Sequence, residues 1–186
     1  FAANFAERDD VGASVAVVMG DELVVDLWGG HQHPPGSTPW QRDTIINVYS
    51  TTKTMSCLAL LVLVGRGLVD VDAPVERYWP GFGRNGKGGV LVRHLLSHTA
   101  GIPGWEQRLQ GTALYDWDYV TGLLAEQSPW WTPGSKSGYH AITQGNLVGE
   151  VVRRVDGRSV GTFFRDEIAE PLGAEFHIGV PPAFDD

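Results

Sequence analysis

Two short valine-rich runs open the chain, Val11 to Met19 and Leu23 to Trp28, with Gly20-Asp21-Glu22 between them. β-Branched residues fit a pleated surface, and a tight glycine turn between two such runs predicts a β-hairpin. The pattern then changes. A polar, proline-rich loop from Gly29 to Gln41 leads into the short apolar run Thr44 to Tyr49, and Met55 to Val64 is apolar on every side. Such a stretch predicts a buried helix, which Gly65-Arg66-Gly67 stops. Leu68 to Pro74 reads as a turn, Val75 to Trp79 as a short element closed by Pro80, and Gly81 to Gly89 as a loop. Val90 to Ser97 predicts a helix that breaks at Thr99-Ala100-Gly101. Leu114, Trp117, Val120 and Leu124 recur at helical spacing, as do Leu147, Val148, Val151, Val152 and Val155 before Gly157. Helices fill the middle of the chain, and the clear sheet material lies at its start.

Size and charge narrow the class. The 186 residues, 42% of them hydrophobic, suffice for one domain or most of one. A net charge of −8 argues against a nucleic-acid groove or an anionic membrane surface, both of which need basic patches. The longest apolar run, Leu58 to Val64, is far too short to span a bilayer. Cys57 is the only cysteine, so no internal disulfide forms. That fits a reducing compartment, and a cytoplasmic location is the expectation. Phe1 to Arg8 resembles the tail of an amphipathic helix, so the chain is expected to begin inside a longer gene product.

Ser50-Thr51-Thr52-Lys53 stands between the two apolar runs. At a helix start, residues three apart lie one turn from each other on one face. Free backbone N–H groups and the positive end of the helix dipole then surround the serine oxygen. A neutral Lys53 there can take the Ser50 proton, and the helix end favours the developing negative charge. The alternative is that Ser50 caps the helix and Lys53 is a solvated first-turn residue.

Other candidates carry less. Gly157-Arg158-Ser159-Val160-Gly161 fits the Gly-x-Ser-x-Gly elbow, but the segment entering it has helical period where the elbow needs a strand. Ser159 sits where an N-cap belongs, ahead of Val160, Phe163, Phe164 and Ile168. His31 and His33 lack the further ligands of a metal site, and Asp70 and Asp72 lack those of a calcium loop. The glycines from 81 to 89 match neither phosphate-binding pattern.

Three further segments bear on Ser50: Leu95-Leu96-Ser97-His98-Thr99-Ala100-Gly101-Ile102, Trp130-Trp131-Thr132-Pro133-Gly134, and Tyr139-His140-Ala141. Taken with Ser50-Thr51-Thr52-Lys53 in this order, they resemble the serine β-lactamase and penicillin-binding superfamily. The likeness is greatest to its esterase branch, the family VIII carboxylesterases related to class C β-lactamases, and it runs along essentially the whole chain. It implies an α/β, β-lactamase-like fold, an antiparallel sheet flanked by a helical region, with residues 1–186 as the N-terminal portion of one domain. By the same resemblance Ser50 is the acylated nucleophile, Lys53 holds its proton network, and Tyr139 shuttles a proton between nucleophile and leaving group. Free lysine and tyrosine side chains titrate at about 10.4 and about 10, so either becomes a base only where a neighbour or burial lowers its pKa. Ser97 and His98 fall in a stretch that the family carries as a structural loop.

Two departures refine the expectation. β-Lactamases usually read Tyr-x-Asn in the second motif, where the asparagine helps hold the substrate amide; Ala141 stands there instead, which favours simple esters. The family's third motif, with its Lys, His or Trp and a second oxyanion donor, has no counterpart after Asp156, and the chain closes on Pro181 to Asp186. A serine carboxylesterase is therefore expected, with a small-molecule ester as substrate and no metal or organic cofactor. A C-terminal portion, as a second chain or a continuation, is its expected complement. The rival readings are a β-lactamase or D-amino-acid peptidase with the same residues, and a non-catalytic ligand-binding or sensor domain of the same fold.

Overall fold

The computed structural model describes residues 1–33 and 38–180. Pro34 to Ser37, part of the expected proline-rich loop, and the expected ending Pro181 to Asp186 lie outside the described residues. The chain divides into two compact units, Phe1–Asn47 and Val48–Asp186.

The first unit is a hairpin with a short leading helix. Strand β1, Gly12–Met19, pairs antiparallel with β2, Glu22–Gly30, from Gly12 opposite Gly30 to Met19 opposite Glu22. Val17 faces Val25 but Val18 faces Leu23, so the ladder slips at that step; such an irregularity adds local twist. β2 runs to Gly30, past the expected end at Trp28, because the pairing continues to the base of the hairpin. Glycine is required there: a Cβ on Gly12 would stand 2.2 Å from the His31 carbonyl oxygen and 2.4 Å from the Trp40 ring. Helix α1, Ala2–Glu7, buries none of its residues, although Phe1 and Phe5 meet edge to face at 5.2 Å. Arg42 pairs with Asp26 on β2 at 2.8 Å.

The second unit is helical. Its first long helix, α2 (Thr52–Gly65), buries Ser56, Ala59, Leu60 and Leu63, positions that fall on one face. Leu58 and Leu61 on the same helix are 40% and 46% exposed. Among the described residues the core covers one side of the helix and leaves these two leucines open, a direction that an all-apolar sequence does not carry. Helix α3, Val92–Leu96, is shorter than expected, because Leu91 is still extended and bridges to Pro74. Leu114 does not join the next helix. It lies in a 3-10 turn, Gly111–Tyr115, and Asp116 caps α4 (Trp117–Glu126) by accepting the Tyr119 N–H at 3.0 Å. Helix α5, Thr143–Asp156, is the most buried element and ends at Gly157 with φ +95, the left-handed cap position that glycine suits. Helix α6, Val160–Phe164, continues as a π turn, Arg165–Ala169, into α7, Glu170–Leu172. The core joins Leu60 and Leu63 of α2, Leu95 of α3, Leu124 of α4, Leu147, Val148, Val151 and Val152 of α5, and Phe163 and Phe164 of α6.

Two buried charges were not legible in the sequence. Glu150 on α5 is fully buried and accepts from Trp117 Nε1 at 2.7 Å, Arg153 Nε at 2.7 Å and Arg154 Nε at 2.6 Å. Burial alone would raise its pKa, but these donors hold it below the ordinary carboxylate range. Lys87, in the glycine-rich loop, is 1% exposed; its Nζ donates to the Arg84 carbonyl at 3.0 Å and to the Gln127 carbonyl, over the Phe82 ring. Burial lowers its pKa, against the pull of Glu126 and Glu106.

Two glycines of α5 test this packing. A Cβ on Gly149 would come within 2.8 Å of the Trp117 ring, whereas one on Gly145 meets nothing within 4 Å. Gly149→Ala should therefore destabilise the protein by roughly 1–3 kcal/mol through overpacking that loosens Trp117 from Glu150. Gly145→Ala should stabilise it by about 0.5–1 kcal/mol. Denaturant midpoints of the two variants check the opposite signs.

Candidate active site

Tyr49 departs from the ordinary backbone at φ +45, uncommon for a residue with a side chain. It opens a 3-10 turn, Tyr49–Thr51, closed by the Thr51 N–H on the Val48 carbonyl at 3.1 Å. Ser50 therefore sits in the turn just ahead of α2, not at the first α-helical position. Its side chain caps neither element. Instead Ser50 Oγ accepts from Lys53 Nζ at 3.1 Å. The same ammonium donates to the Ala141 carbonyl at 2.7 Å. Ala141 thus acts through its backbone carbonyl, a role that its residue type does not signal.

Tyr139 completes the group. Lys53 Nζ lies 5.1 Å from the centre of its ring. Its phenol pKa is lowered, chiefly by the hydrogen bond with the Ser50 hydroxyl; desolvation opposes this, and Lys53 adds to it through a hydrogen bond and its charge. The three predicted residues, Ser50, Lys53 and Tyr139, thus meet at one place. A phenol drawn toward ionisation beside a serine hydroxyl and a cation is an arrangement for moving the serine proton.

The segment from Ser97 to Ile102 holds the Tyr139 loop. Gly134 N–H reaches the Thr99 carbonyl at 2.9 Å, Trp130 N–H the Gly101 carbonyl at 2.8 Å, and Gly138 N–H the His98 carbonyl at 3.0 Å. His98 Nδ1 accepts the His140 N–H at 3.1 Å. His140 is fully buried; its Nε2 accepts the Ile102 N–H at 3.3 Å, so the proton is assigned to Nδ1, 2.7 Å from the Gly138 carbonyl. Burial drives its pKa down to about 4, the Gly138 carbonyl opposing and His98 adding. Gly138 has no room for a side chain, since a Cβ there would stand 2.3 Å from the Trp131 ring. A lone histidine beside a tyrosine gives no sign in the sequence of partners as distant as those of His140.

The other candidates stay outside this group. Ser159 Oγ accepts the Thr162 N–H at 3.1 Å, and the helix α5 precedes it where an elbow needs a strand. It is a cap. Asp70 Oδ1 accepts the Asp72 N–H at 2.9 Å, and Asp72 pairs with Arg93, so both shape a turn. His31 bridges to Pro39. Among the described residues no cluster of three or more His, Cys, Asp or Glu side chains is placed to hold a metal ion, and no helix is long and apolar enough to cross a membrane.

An antiparallel hairpin followed by a helical unit, with Ser-x-x-Lys at the first long helix and a tyrosine brought against it, defines a β-lactamase-like fold. The comparisons agree. The beta-lactamase family model matches residues 1–186, and the chain belongs to that family. The esterase/beta-lactamase LipL of Mycobacterium tuberculosis is 39% identical over 98% of this chain and 42% of its own length. The crystal structure of a family VIII carboxylesterase superposes with a TM-score of 0.93 and 46% identity, covering 99% of this chain and 51% of that one. A penicillin-binding protein homologue from Caulobacter crescentus gives 0.92 and 40%, covering 98% and 49%. The chain thus spans about half the length of these relatives.

The buried His140 predicts a pH dependence of stability. Its pKa falls from 6.5 to about 4 on folding, so between those values the unfolded chain binds more protons, and stability falls as pH falls. The shift corresponds to on the order of 3 kcal/mol. His94 and His98, also lowered mainly by burial, act with the same sign. Melting temperatures should drop from pH 6.5 to 4, and His140→Gln should flatten that slope whatever its own cost in stability.

Proposed function

We propose that the protein carrying this chain is a serine carboxylesterase, with Ser50 as nucleophile, Lys53 as the cation of its proton network and Tyr139 as proton carrier. The observation that carries the reading is the Lys53 ammonium, 3.1 Å from Ser50 Oγ and 2.7 Å from the Ala141 carbonyl beside Tyr139. Tyr139, in its ionised form, accepts the Ser50 proton as the oxygen attacks the ester carbonyl. The acyl–oxygen bond breaks, Tyr139 protonates the departing alcohol, and a Ser50 ester remains. Water then attacks that ester with Tyr139 again accepting the proton, and the carboxylic acid leaves as Ser50 regains its hydrogen.

Ala141 favours esters over amides. An ester alcohol departs without an amide group to be held, and a methyl side chain at this position offers no hydrogen bond to one. The described residues include two strands, both ahead of Ser50 in the chain. The Ser50 N–H supplies one oxyanion donor; a second is assigned to a C-terminal portion, as a partner chain or a continuation, which agrees with the half-length match to the relatives. Losing one such donor costs on the order of 10²–10³ in rate.

With a p-nitrophenyl ester, Ser50→Ala should lower turnover by roughly 10³-fold or more. Lys53→Met and Tyr139→Phe should each lower it by about 10²–10⁴-fold, while Ser159→Ala stays within a few-fold of wild type. Intact mass after rapid quench should show one acyl group, absent from Ser50→Ala. Residues 1–186 expressed alone should fall short of the turnover of the protein joined to its complement. A wild-type rate from Ser50→Ala would end the reading.

A further inference from the structure

We propose that His98 is the positioning residue for Tyr139, gripping the backbone on both sides of it, and that the grip closes only when His98 is neutral with its proton on Nε2. The inference deepens the reading above and rests on Tyr139 as proton carrier. The His98 carbonyl accepts the N–H of Gly138 at 3.0 Å, and His98 Nδ1 accepts the N–H of His140 at 3.1 Å. The residue between them, Tyr139, lies with its ring centre 4.8 Å from that of His98. One side chain and one carbonyl of a single residue thus fix three consecutive residues of the loop. The backbone of His98 stands at φ +61, a left-handed conformation in which histidine is enriched. Tyr139 itself is 55% exposed, so packing alone does not immobilise it.

The protonation state follows from the donors. An imidazolium carries N–H on both nitrogens and leaves no lone pair for the His140 N–H. The groups that face His98 are Lys53 from α2, and Tyr139 and His140 from the loop. Burial, then the Lys53 charge, lowers the His98 pKa below that of an ordinary histidine. His140 stays neutral down to about pH 4. At neutral pH the grip is closed; as pH falls through the His98 pKa, one proton breaks its His140 side, leaves the Gly138 bond, and loosens Tyr139 from its hydrogen bond with Ser50.

His98→Asn and His98→Leu separate this role from simple packing. The asparagine oxygen stands in for Nδ1, tolerates the left-handed backbone and does not titrate in this range; leucine supplies no acceptor. Nitrogen-15 spectra of labelled histidine, assigned by the signals missing from His98→Asn, should show His98 neutral at pH 7 with its proton on Nε2. The tyrosinate absorbance attributable to Tyr139, by subtraction of Tyr139→Phe, should appear at higher pH in His98→Leu and at the wild-type pH in His98→Asn. With an ester substrate, His98→Leu should lose on the order of 10²-fold in kcat with little change in KM. His98→Asn should recover kcat to within a few-fold of wild type at pH 8; its profile should keep the acid limb set by ionisation of Tyr139 and lose the further fall that the wild type shows at the His98 pKa. A proton on Nδ1, a charged ring at pH 7, identical Tyr139 titrations in all three proteins, or a further acid step at the His98 pKa that persists in His98→Asn would each overturn the proposal. Should no ester be turned over, the two spectroscopic measurements still decide it, so the failure of the reaction and the failure of the grip are separable.

Discussion

Lys53 Nζ reaches across 88 positions of chain to the Ala141 carbonyl while it donates to Ser50 Oγ one turn away. Both acceptors are oxygens and the donor is a cation, so each bond is of the stronger, charge-assisted kind. The link ties the start of α2 to the loop that carries Tyr139. Everything else in the second unit bears on the rigidity of its two ends. On one side, α2 is anchored by Ala59, Leu60 and Leu63 in the core that α5 and α6 complete. On the other, Thr143 at the start of α5 donates its hydroxyl to the Ile102 carbonyl at 2.8 Å, next to the bonds that hold the Tyr139 loop. A long flexible side chain can define a site only where both of its ends are fixed in this way.

Much of this was legible in the sequence, and the reasons are local. Ser50 and Lys53 are three residues apart, and helical spacing alone places them together. The hairpin and the apolar faces of α4 and α5 follow from periodicity, and Ser159 could be set aside because the segment before it has helical period. Tyr139 needed the resemblance, since a tyrosine after a Pro-Gly turn carries no signal of its own. The structure then brought it to the expected partners.

What was not legible depends on distant partners. His98 and His140 are joined through a bond spanning 42 positions, and Ile102 and His140 through one spanning 38. Lys87 looked like a loop cation and is buried, because two carbonyls and an aromatic ring receive it. The direction of α2 was also hidden. Ten nearly uniform apolar residues say that a helix is present, while the exposure of Leu58 and Leu61 depends on what packs beside them. Helix boundaries moved for a similar reason: Asp116 and Leu91 each carry a backbone conformation set by neighbours outside the helix they precede.

The electrostatics of the site follow a common direction. His98 and His140 are held toward their neutral forms, His98 partly by Lys53 and His140 partly by His98. Tyr139 is the group whose ionised form is favoured. These shifts belong together. A proton on His98 would place a second cation near Lys53 and remove the acceptor that fixes His140. With the histidines neutral, Lys53 is the cation beside Ser50 and Tyr139. In the proposed reaction its field favours the ionised form of Tyr139, which takes a proton and returns it. The alcohol of an ester accepts the returned proton directly, so proton carrier, cation and nucleophile are sufficient for the acyl transfer, provided a second donor meets the oxyanion.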